Sequence, residues 1–452
     1  MNRRHFLQAS SLAATGLFTT NLFGSRARVF GANDKINHAC IGVGGMGYGD
    51  MSNFLSHGRT QVVAICDVDR NRLNKAAEKI PGVRCYTDWR ELLIKEGDRI
   101  DSVNVTVPDH MHTLISVTAM KAGKHVYCQK PLCHDVAECR LMSDVARQTG
   151  VVTQLGTQHA SGAGDLQGVQ WLKAGIVGEV KKLYLCSNRT GAEAYRLLGP
   201  RPEKGEPVPD TLDWDLWIGT APERPYAPDI YNPMRWRSWQ DFGTGWSGDI
   251  GCHIFDAAWK GLELQAPISV KAEVQDSWKT SPARRGDTWP QGQHITWVFP
   301  GNKASGGKSF TAEWFDGAFY PPAEAQALAK LAGFEKYPEE NLLVIGSEGA
   351  MFLPHTGGPI LVPKEKYQAV QRPKVERRNH YHHFIDGCLG LVKNESFFER
   401  TGPMTEAILL GTVAIRVPDT ELQWDAPQMR ITNCEEANRY LKRTYRKGWE
   451  IA

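Results

Sequence analysis

Net charge is nearly absent from this 452-residue chain: 53 Lys and Arg stand against 50 Asp and Glu, a balance of +3. That excludes nucleic acid as the main partner, because gripping a phosphate backbone needs a concentrated positive field. The basic residues Arg439, Lys442, Arg443, Arg446 and Lys447 spread round a terminal helix and read as a solvated face. Long hydrophobic runs are also missing. The mildly apolar stretch from Ala9 to Phe23 is too short and too rich in Ser and Thr to span a bilayer. Ten cysteines contain no C-x-x-C pair, which excludes a zinc cage and a redox dithiol. Buried free thiols in strands, such as Cys40, Cys66 and Cys128, are the expected state. No metal site is expected: Asp249 and His253 lack a third ligand, and His380, His382 and His383 are spaced like a helix start. There is no internal repeat.

The N-terminus carries a signal of another kind. Asn2-Arg3-Arg4-His5-Phe6-Leu7-Gln8, followed by a weak apolar region, looks like a twin-arginine export signal. Residues 1–32 are therefore read as a leader, with the twin-arginine export machinery as a partner and the periplasm as destination. A cytoplasmic life is the alternative.

From Asn37 to about Gln158 the pattern alternates strand and helix. Cys40-Ile41-Gly42-Val43-Gly44-Gly45-Met46-Gly47 reads as a buried strand running into a turn with G-x-G-x-x-G spacing at Gly42, Gly44 and Gly47. Such a turn lets backbone approach a pyrophosphate, and the helix behind it aims unpaired N–H groups at the phosphates. A second strand, Gln61 to Cys66, ends at Asp67, where a carboxylate suits the ribose hydroxyls of an adenosine. Asp67 favours NAD over NADP, since a 2′-phosphate would meet a like charge, although Arg70 nearby softens that preference. Further strands at Val83–Tyr86, Asp101–Val107, His125–Cys128 and Val151–Leu155 predict a parallel, doubly wound sheet over residues 33–157.

Residues 158–452 have a different character. Strand-like segments at Lys182–Cys186, Ile268–Val274, His294–Phe299 and Ser309–Trp314 predict an α+β domain, with a largely antiparallel sheet and helices on one face. The stretch from Thr190 to Phe242, rich in Trp, Pro and Arg, is too long to be only a connector.

Two constellations carry chemistry. Cys128-Gln129-Lys130-Pro131 closes the fifth parallel strand, where an ammonium on Lys130 would meet a substrate hydroxyl and steady alkoxide character. Glycines from Gly243 to Gly248 lead into a helix on which Asp249 and His253 stand one turn apart. There the carboxylate is expected to orient the imidazole as a base for a hydroxyl proton.

Taken with Val107-Pro108 followed by His110 and His112, and with Gly123-Lys124-His125-Val126, these motifs resemble the glucose–fructose oxidoreductase / inositol dehydrogenase / rhizopine-catabolism family (Gfo/Idh/MocA). The resemblance covers essentially everything after the leader. It implies a Rossmann domain followed by a C-terminal domain with an open, mostly antiparallel sheet, often the face of a homodimer or homotetramer. It implies catalytic roles for Lys130, Asp249 and His253, and cofactor contacts at Gly42, Gly44, Gly45, Met46, Gly47, Asp67, Pro108, His110, His112 and Lys130. His159, Asn188, Arg189, Trp236 and Arg237 are weaker candidates for substrate contact. The implied activity is NAD(P)-dependent oxidation or reduction of a sugar, glycoside or polyol, with a cofactor held tightly enough to be recycled after export. Two alternatives are a glycoside hydrolase or lyase that uses bound NAD transiently, and a non-catalytic sugar-binding protein. One departure is Gln129 where the family usually has Glu. The retained lysine speaks against the redox-assisted glycosidase branch in which that motif is lost.

Overall fold

The computed structural model describes residues 34–192, 196–317 and 319–451. The leader expected over residues 1–32 lies outside them.

The first half is built on six parallel strands: β1 (Ile36–Ile41), β2 (Thr60–Cys66), β3 (Arg84–Tyr86), β4 (Ser102–Val105), β5 (His125–Cys128) and β6 (Thr153–Leu155). Their order is β3-β2-β1-β4-β5-β6, so the chain reverses its direction of travel between β1 and β4. A crevice opens at that switch point, beyond the carboxyl ends of the strands. Strands β4 and β6 are buried along their whole length and β5 along all but its first residue, so that even polar side chains such as Asn104 and Gln154 lie inside. A helix at Trp89–Glu96, not anticipated from the sequence, is capped by Asp88 and buries Trp89, Leu92 and Leu93.

The second half carries nine strands in the order β13-β12-β11-β7-β10-β9-β8-β14-β15. They are β7 (Val180–Ser187), β8 (Ser269–Val274), β9 (Gln293–Phe299), β10 (Phe310–Asp316), β11 (Glu340–Gly346), β12 (Ala350–Pro354), β13 (Ile360–Val362), β14 (Leu422–Asp425) and β15 (Arg430–Ile431). Every pairing is antiparallel except β7 with β10. Leu183 and Leu185 of β7 join the large core under the helices Ala163–Lys173, Gly245–Gly261 and Phe398–Arg416. Tyr184, between them, faces the other way, onto a smaller core closed by helix Ala323–Ala332. Helices therefore cover parts of both faces, not one.

The stretch after Thr190 wraps the first half. Asp213 N–H donates to the Val68 carbonyl at 2.9 Å and Arg70 N–H to the Thr211 carbonyl at 2.8 Å. Leu212, Trp217, Tyr231, Trp236, Trp239 and Phe242 form a separate aromatic core that holds this wrap together.

Candidate active site

The crevice at the switch point, the wrap and the second sheet enclose a cavity of about 960 Å³. One end is the glycine turn. A Cβ built on Gly42 would lie 2.0 Å from the Thr106 carbonyl oxygen, and one on Gly47 would lie 2.1 Å from the Gly42 carbonyl oxygen. Gly42 also has φ +84°, which L side chains avoid. Gly45 caps helix Met46–Leu55 with φ +52° and open space around it, so the first N–H groups of that helix face the cavity free of side chains. A dinucleotide fits this cradle: the turn and helix start would hold the pyrophosphate.

Asp67 plays a different part from the one its position suggests. One carboxylate oxygen accepts from the Val43 and Gly44 amides at 3.0 and 3.1 Å, and the other accepts from Asp69 N–H at 3.0 Å. Those bonds brace the glycine turn and take up most of the lone pairs that two ribose hydroxyls would need. Arg70 turns away to the Asp210 carbonyl. The cation at this end of the cavity is Arg72, beside Gly44 and 3.3 Å from Asp69.

At the centre of the cavity Lys130 Nζ donates to Asp249 Oδ1 at 2.8 Å and to the Asp249 carbonyl at 2.9 Å. Arg237 Nε reaches the same carboxylate oxygen at 3.3 Å. Burial alone would raise the Asp249 carboxyl, but the Lys130 and Arg237 cations reverse this and hold it down at about 2. The carboxylate thus joins the two halves through Lys130 and is not the partner of His253. Burial first, then the Lys130 cation and the neighbouring histidines, hold His253 well below the usual imidazole range. It is neutral, and its Nδ1 is buried with no hydrogen-bond partner among the described residues. Its ring stands 4.9 Å from His355 and 6.0 Å from His159, centroid to centroid.

Gln129 has a specific reason to be neutral. Its amide donates to Asp50 Oδ2 at 2.8 Å, and the same buried carboxylate accepts from Tyr381 and Thr106. A glutamate would bring a second carboxylate against Asp50.

Met46, Pro108, His159, Arg189, Trp236 and Arg237 all line the cavity. Three other sequence candidates have different work. His110 is fully buried beneath the wrap, with Nε2 3.0 Å from the Ile218 carbonyl. His112 bridges the carbonyls of Pro131 and Val107 at 2.7 and 2.8 Å, and so props the Lys130 loop from behind. Asn188 donates to the Phe319 carbonyl at 3.1 Å. The sequence reading missed Asp109, Trp246 and His355, which also line the cavity. Asp109 stands between Pro108 and His110, and Trp246 lies inside the Gly243–Gly248 stretch. His355, in the turn after β12, had no local signal.

Comparison with known proteins follows the same division. The family model for the oxidoreductase family, NAD-binding Rossmann fold, matches residues 36–157, and that for the family's C-terminal alpha/beta domain matches residues 170–291. A glycosyl hydrolase family 109 protein of Shewanella pealeana is 28% identical over 204 residues, 40% of this chain and 44% of that protein. An alpha-N-acetylgalactosaminidase of Shewanella oneidensis is 27% identical over 205 residues, again 40% of this chain and 44% of the relative. The matched stretch thus spans less than half the length of these curated relatives. Among solved structures, the WlbA dehydrogenase of Bordetella pertussis, crystallised with NADH and UDP-GlcNAcA, has a TM-score of 0.60 at 15% identity, covering 86% of this chain and 99% of its own. The chain belongs to the Gfo/Idh/MocA oxidoreductase family and carries its NAD-binding Rossmann fold.

Proposed function

We propose that the protein exchanges hydride between bound NAD and a carbinol of a sugar, glycoside or polyol. The observation that carries this reading is the Lys130–Asp249 pair, 2.8 Å apart, in the same cavity as the glycine cradle. NAD, when bound, supplies the hydride acceptor and donor. Asp249 fixes the Lys130 ammonium and leaves one of its three N–H donors for a substrate hydroxyl. His253, neutral and with Nδ1 unsatisfied, is suited to take the hydroxyl proton. Trp236 and Trp246 give apolar walls for a sugar ring, and Arg189 and Arg237 give polar ones.

A second reading has its own support: the curated relatives are named as glycosidases. On that reading the oxidised carbinol is transient, and the net reaction is loss of an aglycone. Export by the twin-arginine route is part of the proposal and rests on Arg3, Arg4 and the apolar stretch behind them. With no free nicotinamide pool outside the cell, such a protein would keep its cofactor.

The test begins with the protein purified without added nucleotide, then denatured. NAD(H) released at near one per chain is the expected result. The intact protein is next mixed with free sugars, inositols and nitrophenyl glycosides. Accumulating reduced nicotinamide supports net dehydrogenation, and released nitrophenol without it supports cleavage. A protein that binds no NAD, even when it is supplied, sinks both readings.

A further inference from the structure

His253 is not the imidazole of this cavity that has a carboxylate behind it. That arrangement belongs to His355. Its Nδ1 lies 2.9 Å from Glu340 Oε2, and the other Glu340 oxygen accepts from Ser187 Oγ at 2.9 Å. Arg189 Nε, 3.6 Å from Glu340, supplies a balancing cation. Both side chains are largely buried, 9% exposed for His355 and 13% for Glu340. A carboxylate on Nδ1 fixes the proton there and leaves the Nε2 lone pair free as a base. Nε2 of His355 is buried, has no hydrogen-bond partner among the described residues, and belongs to a residue of the cavity wall.

Oxidation of one carbinol needs one proton acceptor, and His253 beside Lys130 already fills that need. A second oriented base is surplus to simple dehydrogenation. It has a use once a carbonyl has formed, because the carbonyl makes the neighbouring C–H acidic. We propose that His355 is the residue that removes that neighbouring proton, and that Glu340 is its positioning residue. This rests on the cleavage reading above. The Nε2 lone pair takes the proton, and the C–H electron pair becomes the new carbon–carbon double bond. The bond from the next carbon to the leaving oxygen breaks, and that oxygen departs with the pair and gains a proton from water. Addition of water to the double bond, with the proton returned to carbon from His355, restores the ring before the carbonyl is reduced again.

The experiment uses the NAD-loaded protein in deuterium oxide with p-nitrophenyl N-acetyl-α-galactosaminide, and with free N-acetylgalactosamine as a non-cleavable control. Three signals are read: nicotinamide reduction on mixing, deuterium at the carbon next to the oxidised carbinol, and nitrophenol release. His355→Gln should cut deuterium wash-in and nitrophenol release by about 10²-fold or more while nicotinamide reduction and NAD binding persist. Glu340→Gln, which keeps the imidazole, should lower both by about tenfold and move the acidic limb of the kcat/KM profile to lower pH, because the imidazole loses its carboxylate. Wash-in at the wild-type rate in His355→Gln overturns the proposal. So does a Glu340→Gln protein with an unmoved pH profile, should the first variant fail to fold. Wild-type protein that reduces its nicotinamide but washes in no deuterium overturns the role of His355 and leaves the hydride reading intact. Absence of both signals in the wild type sinks that reading too.

Discussion

At the scale of single residues, the cavity works by setting buried charges against one another. Asp249 is kept ionised by two cations, whereas Asp109, also buried close by, is not. Burial, with the Asp249 charge added and Arg237 and Lys130 opposing, pushes the Asp109 carboxyl up to about 7. Its Oδ2 accepts from the Thr244 amide and hydroxyl at 3.1 and 2.9 Å, at the entry to helix Gly245–Gly261. A carboxyl whose folded value, about 7, exceeds its ordinary value of 3.8 takes up a proton on folding between those values. Its contribution to stability is thus fully present below about pH 4 and lost as pH rises to 7. Asp109→Asn keeps the acceptor and removes the titration. Its melting temperature should therefore fall less than that of the wild type between pH 4 and pH 7, as differential scanning fluorimetry would record. Parallel falls in the two proteins would show that Asp109 titrates normally.

Elements explain why much of the architecture was legible in the sequence and the site only partly so. Glycine turns and short strand runs are local, so all six strands of the first sheet could be read. The turn at Gly42 is the clearest case, because its geometry admits no side chain. Gly42→Ala would set a methyl 2.0 Å from the Thr106 carbonyl and force the turn open. The expected result is loss of NAD binding by at least tenfold in isothermal titration calorimetry, with a lower melting temperature; unaltered affinity would falsify the cradle assignment. Strands β11 to β13 were not anticipated. Glu340–Gly346 opens on two polar residues, and the sequence pattern does not announce that it pairs with β7. Consequently the partner that a histidine finds could not be read either. Asp249 and His253 share a helix face, which suggested a pair, but tertiary contact gave Asp249 to Lys130, from 119 residues away. His355 and Glu340 meet only because β11 and β12 form a hairpin.

Across the whole molecule, the two halves are tied together by ion pairs carried by the helix Val136–Thr149. Arg140 forms a bidentate pair with Glu406, with both contacts at 2.8 Å, which ties this helix to Phe398–Arg416. The C-terminal segment adds a second clamp. Arg443 donates to Glu138 Oε1 at 3.0 and 2.8 Å, to the His110 carbonyl at 2.6 Å and to Thr220 Oγ1 at 2.9 Å. One guanidinium therefore joins the Rossmann half, the Val107–His112 loop and the wrap that closes the cavity. Asp135, which accepts from the Arg443 amide at 3.0 Å, and Glu138 are both buried, so neither can exchange Arg443 for water. Removing one member of a buried ion pair costs about 3–5 kcal/mol, mostly from the charge left behind. Arg443→Met should lose stability of that order in urea unfolding, and Arg443→Met combined with Glu138→Gln should regain a good part of it, because the orphaned charge is gone. A single variant within about 1 kcal/mol of the wild type would mean that the tail is a solvated end, as its run of basic residues first suggested. The clamp also bears on the site. The Lys130 loop leads into Leu132, Cys133 and His134 and from there into this helix, so loosening Arg443 should weaken the hold of Asp249 on Lys130 without touching either residue. The same Arg443→Met protein, assayed under conditions where it is fully folded, should show a lower rate of nicotinamide reduction than the wild type. An unchanged rate would confine the clamp to stability.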